Sequence, residues 1–214
     1  GLDNAWSRII SVVTQPGVDF GHTSIYPFIS EKVKPLSKAI LKIDKLTFEA
    51  HSTDYQSNTA LKALTQNHFF FLKVGPELTF RFREAIWALA EIEEQISVNE
   101  TSEIRNVLIH RMIESPDNWK DYYSGLDADV EQLMVYSYSD RIRYYWSDKY
   151  VASALSKLII NLSSKPLPET LISQSFMGHE FGNIPTNPNH LIEGHIHKCV
   201  SRYFEAAGFN YSNN

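Results

Sequence analysis

Through the first half of the chain, short continuous apolar runs alternate with stretches of helical spacing. Residues 8–13, "RIISVV", are apolar and rich in β-branched side chains, and Pro16-Gly17 follows; this predicts a buried strand and a turn over 8–17. Over 30–43, Val33, Leu36, Ile40 and Ile43 recur at helical spacing, with Ser30 as starting cap and Pro35 in an early turn or at a kink. "KLTFEA" (45–50) predicts a second strand, and 57–68 a short helix capped by Ser57 or Asn58. "FFFLKVG" (69–75) predicts a third strand, ended by Gly75-Pro76 and apolar on both faces, as a parallel strand covered from both sides would be. Residues 77–96 read as a long helix with a broad apolar face. This alternation implies parallel strands joined by right-handed crossovers.

After residue 96 the texture becomes helical, with patterns at 101–115, 127–146 and 149–162, a Pro-bounded connector at 165–173, and a helix at 187–208 that starts on Asn187-Pro188 and stops at Gly208. The expected domains are therefore 1–97, strand and helix, and 98–214, helical. Three βα units leave a parallel sheet with bare faces and edges, so further strands are expected before residue 1 or from another chain. The first residues, which enter a strand pattern almost at once without an initiating Met, carry the same expectation.

Composition narrows the classes. With 214 residues, 43% hydrophobic and 21% charged, the chain is an ordinary globular one with material for a sizeable core. A net charge of -5 and no Lys/Arg run argue against nucleic acid as a partner. The single cysteine, Cys199, excludes an internal disulfide and fits a reducing cytoplasm. No apolar stretch reaches membrane-spanning length, so no membrane is expected as a partner.

Candidate chemistry sits at the carboxyl ends of the three strands, "TQPG" (14–17), "EAHSTDYQ" (49–56) and "KVGPE" (73–77). In one parallel sheet these ends meet on a single rim, where sites of α/β folds form. The rim candidates are Gln15, His51, Ser52, Thr53, Asp54, Lys73 and Glu77. His51 suits acid–base chemistry, metal ligation or a structural hydrogen bond at a strand end. Asp54 suits the rim or the cap of a nearby helix. Lys73, inside an apolar run, calls for a bound anion, for Glu49 or Asp54 as partner, or for a stem that carries its charge out to solvent. His190, Glu193 and His197 share helical spacing and are metal-ligand candidates short of a full set. The aromatics around Arg141 and Arg143 suit packing more than base stacking in an acidic chain. No G-x-x-x-x-G-K-[ST], G-x-G-x-x-G or G-x-S-x-G is present, which argues against a P-loop kinase, a dinucleotide enzyme and an α/β-hydrolase.

"QPGVDFGHTSIYPF", "FEAHSTDYQ", "LKVGPELTFRFREAIWALAEIEE", "YSDRIRYYW" and "LISQ" resemble the Z-type subunits of class II D-tagatose-1,6-bisphosphate aldolases over nearly the whole chain. The resemblance implies an α/β fold: the C-terminal βα units of a TIM (β/α)8 barrel plus a helical C-terminal extension. It also implies a non-catalytic subunit, needed for the activity and stability of a catalytic Y-type partner in galactitol and N-acetylgalactosamine catabolism. That partner uses zinc to cleave tagatose 1,6-bisphosphate; no cofactor is implied for this chain. Family members extend further at the amino end. An older name for the family, tagatose-6-phosphate kinase, finds no phosphate-cradling loop here.

Catalytic class II aldolases carry a zinc-binding His where this chain has Ser11 or a neighbour. They carry His-Gly-Gly-Ser where this chain has His51 followed by Ser52-Thr53, and Asn-x-Asp-Thr where Lys73, Gly75 and Pro76 stand. One zinc ligand thus survives of two visible, and the glycines that admit a phosphate are gone. The resemblance therefore points to a barrel that keeps the shape of the site without its metal chemistry; the polar rim that remains is expected to bind a sugar phosphate or another anion, with Lys73 as the charge partner. The alternative is a metal-dependent sugar-phosphate aldolase or epimerase in its own right, using His51 with ligands from further chain.

Overall fold

Three parallel strands order the first part of the molecule, as the alternation demands. The computed structural model describes residues 1–96, 98–176 and 182–209. After the short helix α1 (Asp3–Trp6), strand β1 (Ser11–Thr14) pairs with β4 (Thr47–Ala50), which pairs with β5 (Phe69–Leu72), in the order β1-β4-β5. Between them β2 (Asp19–Phe20) and β3 (Ile25–Tyr26) form an antiparallel ribbon closed by Gly21 N–H on Ser24 O at 2.8 Å. Two-residue strands carry too short a pattern to register as periodicity, and the sequence reading has no strand there.

The described residues form two compact units, one of residues 1–77 with 199–209 and one from residues 78–198. In the first, Phe48, Ala50 and Phe69 pack with Val33 and Ile40 of α2 (Ser30–Ile40) and with Leu61 and Leu64 of α3 (Asn58–Gln66). The Phe48 and Phe69 rings stack at 5.0 Å. Ser57 caps α3 as expected, its Oγ accepting from Ala60 N–H at 3.1 Å. Ser30 is instead the first residue of α2, makes no cap bond, and accepts from Asn67 Nδ2; Pro35 sits within the helix. The expected double cover of the third strand is not found. Among the described residues Phe70 stays 62% and Phe71 44% exposed, and Val13 54%.

The second unit takes α4 (Glu77–Gln95) from Leu78 onward, so the helix read as the last of the strand-bearing portion packs with the helical residues. With it come α5 (Ile104–Glu114), α6 (Asp127–Tyr136), α7 (Lys149–Ser163), α8 (Glu169–Ser175) and α9 (Pro188–Ala206) up to Lys198. Ile86, Leu89, Leu108, Met112, Leu158 and Leu162 form its centre. A helix, α8, stands where a connector is expected at 165–173. Asn187 opens α9 as expected, its Oδ1 accepting from Asn189 N–H at 2.9 Å.

The single helical pattern of 127–146 is broken. Helix α6 stops at Tyr136, and Arg141–Tyr145 form a separate 3-10 turn. The break serves Asp140, which adopts φ 45° and is buried. Its Oδ1 accepts from Arg83 Nε at 2.9 Å and its Oδ2 from the Thr79 hydroxyl at 2.6 Å. The Arg83 guanidinium also lies 4.3 Å from the centre of the Phe80 ring. Burial raises the Asp140 pKa, while Arg83 and Thr79 pull it down. This pair joins "LTFRFREA" to "YSDRIRYYW", so two segments far apart in sequence constrain each other through one bond network.

Asp140→Ala, which strands a buried guanidinium, is expected to lower unfolding free energy by about 3–5 kcal/mol in urea titration. The double variant Arg83→Met/Asp140→Leu is expected to lose less than either single change.

Candidate functional site

Strand register sets Thr14 beside Ala50 and Ala50 beside Leu72, so Gln15, His51 and Lys73 follow abreast along one sheet edge. Backbone bonds continue the ladder past the strands: His51 N–H to Thr14 O at 3.4 Å and Lys73 N–H to Ala50 O at 2.9 Å. Pleat parity gives these three residues the face of Val13, Glu49 and Phe71. The expected convergence of the three strand ends is therefore present.

On that face His51 Nε2 lies 3.0 Å from Glu49 Oε1, and each side chain is about a third exposed. Lys73 is the first residue after β5 and is exposed, not held within the strand. Neither anticipated carboxylate takes it: Glu49 engages His51, and Asp54 engages backbone. Its ammonium makes no hydrogen bond or ion pair among the described residues. Gln15 is exposed and spends its Nε2 on Val18 O at 2.8 Å, bracing the turn in which Gly17 takes φ 87°.

Thr53, Asp54 and Glu77 lie beneath the rim, buried. Thr53 donates its Oγ1 proton to Lys73 O at 2.9 Å. Asp54 Oδ1 accepts from Gly75 N–H at 2.8 Å and Glu77 N–H at 2.9 Å, which makes it the cap of α4 rather than of α3. Burial raises its pKa; the two N–H groups oppose that, and the neighbouring Glu77 charge adds to it. Glu77 Oε2 accepts from Tyr55 N–H at 2.7 Å, and Oε1 from Arg202 Nη1 at 2.9 Å. The Tyr203 hydroxyl lies 2.9 Å from Glu77 Oε2 and 3.1 Å from Thr53 O, and burial followed by the Glu77 charge pushes its pKa far up.

The loop over 51–56 is strained and over-determined. Ser52 and Tyr55 adopt left-handed φ of 58° and 63° without being glycine, at a cost of about 1–3 kcal/mol each. Arg202 Nη2 donates to Gln56 O, and Arg202 Nε to Asn58 Oδ1 at 2.7 Å. The Gln56 side chain accepts from Phe28 N–H at 2.9 Å and donates to Tyr26 O at 3.0 Å. Gln56, Arg202 and Tyr203 are absent from the sequence candidates. Gln56 closes the "EAHSTDYQ" run but has no distinctive chemistry, and nothing local marks Arg202 or Tyr203.

Zinc tested against these residues does not fit. His51 and Glu49 offer two donors where a site needs three protein ligands, and no group of three His, Cys, Asp or Glu suited to a metal exists among the described residues. His190, Glu193 and His197 are each exposed on α9 and form no such group. No helix among the described residues is long and apolar enough to cross a membrane.

Residues 1–208 match the family model described as D-tagatose-1,6-bisphosphate aldolase subunit GatZ/KbaZ-like. Among solved structures, a probable tagatose 6 phosphate kinase from Sinorhizobium meliloti 1021 is similar, with a TM-score of 0.89 and 36% identity over 95% of this chain and 54% of that one. The chain thus spans about half the length of that relative. With the match running through the rim loop and the helical unit, the chain belongs to the GatZ/KbaZ-like family of D-tagatose-1,6-bisphosphate aldolase subunits.

Proposed function

We propose that this chain is part of a non-catalytic subunit of a class II D-tagatose-1,6-bisphosphate aldolase, acting beside a catalytic subunit in galactitol and N-acetylgalactosamine breakdown. Its rim binds a sugar phosphate. The observation that carries the ligand reading is the row of Gln15, His51 and Lys73 at one sheet edge, with the exposed Lys73 ammonium unpaired among the described residues. His51, oriented by Glu49, and the Ser52 hydroxyl beside it supply polar contacts of the kind a sugar phosphate takes. The rim candidates Thr53, Asp54 and Glu77 support this edge from below.

The same proposal takes the three parallel strands as part of a (β/α)8 barrel. Val12 and Val13 on β1 and Phe70 and Phe71 on β5 stay exposed, and a closed sheet removes bare edges and fills the bare face. A relative nearly twice as long leaves room for the remaining strands. The kinase in that relative's title finds no support in this sequence, which has no G-x-x-x-x-G-K-[ST] loop. The barrel portion is taken as 1–97. The helical extension 98–214 is taken as the surface that meets the catalytic subunit.

Calorimetric titration of the full-length protein with D-tagatose 1,6-bisphosphate is expected to give binding heat. Lys73→Ala is expected to weaken that binding about tenfold or more; no heat from the unaltered protein overturns the rim reading. Mixing with the catalytic subunit is expected to raise that subunit's Tm and turnover, with no aldol cleavage by this protein alone. Cleavage without the partner would favour an independent enzyme.

A further inference from the structure

The rim loop is held from a distance. Left-handed Ser52 and Tyr55 bracket Thr53 and Asp54, in a backbone region that a serine and a tyrosine hold only when their surroundings fix it. Besides the bonds to Lys73, Gly75 and Phe28, restraints come from the last two turns of α9, more than 120 residues away in sequence. Arg202 spreads its guanidinium over Glu77 Oε1, Gln56 O and Asn58 Oδ1, a fork that suits its planar geometry. The Tyr203 hydroxyl sits between Thr53 O and Glu77 Oε2. Ala206 anchors the helix end in the core beside Leu61 and Leu64, and its carbonyl accepts from the Thr65 hydroxyl at 2.7 Å.

We infer that the carboxyl end of α9 sets the conformation of the His51–Ser52 rim, with Arg202 and Tyr203 acting as positioning residues for the anionic ligand. This rests on the rim reading proposed above. Neither residue is among the rim side chains; both act through the backbone of 53–56 and through Glu77. Docking of α9 and ligand binding at the rim are therefore coupled: whatever loosens one weakens the other.

The test uses the full-length protein with Arg202→Lys and Tyr203→Phe. Lysine keeps a charge opposite Glu77 but cannot fork to Gln56 and Asn58; phenylalanine keeps the ring and removes only the hydroxyl. Both variants are expected to speed amide hydrogen exchange over 51–56 about tenfold, with α5 unchanged, and to weaken D-tagatose 1,6-bisphosphate binding about tenfold. Unchanged exchange over 51–56 overturns the clamp. Faster exchange with unchanged affinity overturns its role in ligand positioning. Absence of binding by the unaltered protein overturns the rim reading instead, and the exchange result still decides the clamp.

Discussion

A carboxylate with no access to water has to be matched group for group, and Glu77 imposes that constraint on the first unit. It is fully buried and accepts from an arginine, a tyrosine hydroxyl and a backbone N–H. An unmatched charge there would cost several kcal/mol. Satisfying it requires the chain end to return to the sheet, the loop after β4 to turn its Tyr55 amide inward, and α4 to begin where Asp54 can cap it. Three elements remote in sequence thus share one polar centre, and the rim is what their agreement leaves at the surface.

The second unit also buries a charge, of the opposite sign. Arg83 is the buried charge: its Nε bonds Asp140, whose other oxygen takes the Thr79 hydroxyl, and the Phe80 ring lies against its guanidinium. A continuous helix over 127–146 would not present the Asp140 carboxylate in this way, and the chain breaks after Tyr136 accordingly. Local periodicity gives way to the demand of a buried charge, a case of tertiary context overriding propensity.

This explains which features were legible in the sequence. Strands β1, β4 and β5 and helices α2, α3, α4 and α9 follow from apolar period, caps and breakers, because those signals are local. The convergence of Gln15, His51 and Lys73 follows from parallel order alone. What the sequence hides is the sorting of "EAHSTDYQ" into outward and inward residues. His51 stays at the rim beside Glu49, while Thr53, Asp54 and Gln56 turn into bonds with Lys73, Gly75 and Phe28. Alternation cannot show this once left-handed residues interrupt the strand. The roles of Arg202 and Tyr203 are equally hidden, since their partners are more than 120 positions away.

Ser52 occupies a backbone region where glycine would sit more comfortably, by about 1 kcal/mol. A screen that rewards heat tolerance alone would drift toward glycine here and discard the hydroxyl next to His51. Robustness and, on the rim reading proposed above, recognition therefore pull this one position in opposite directions.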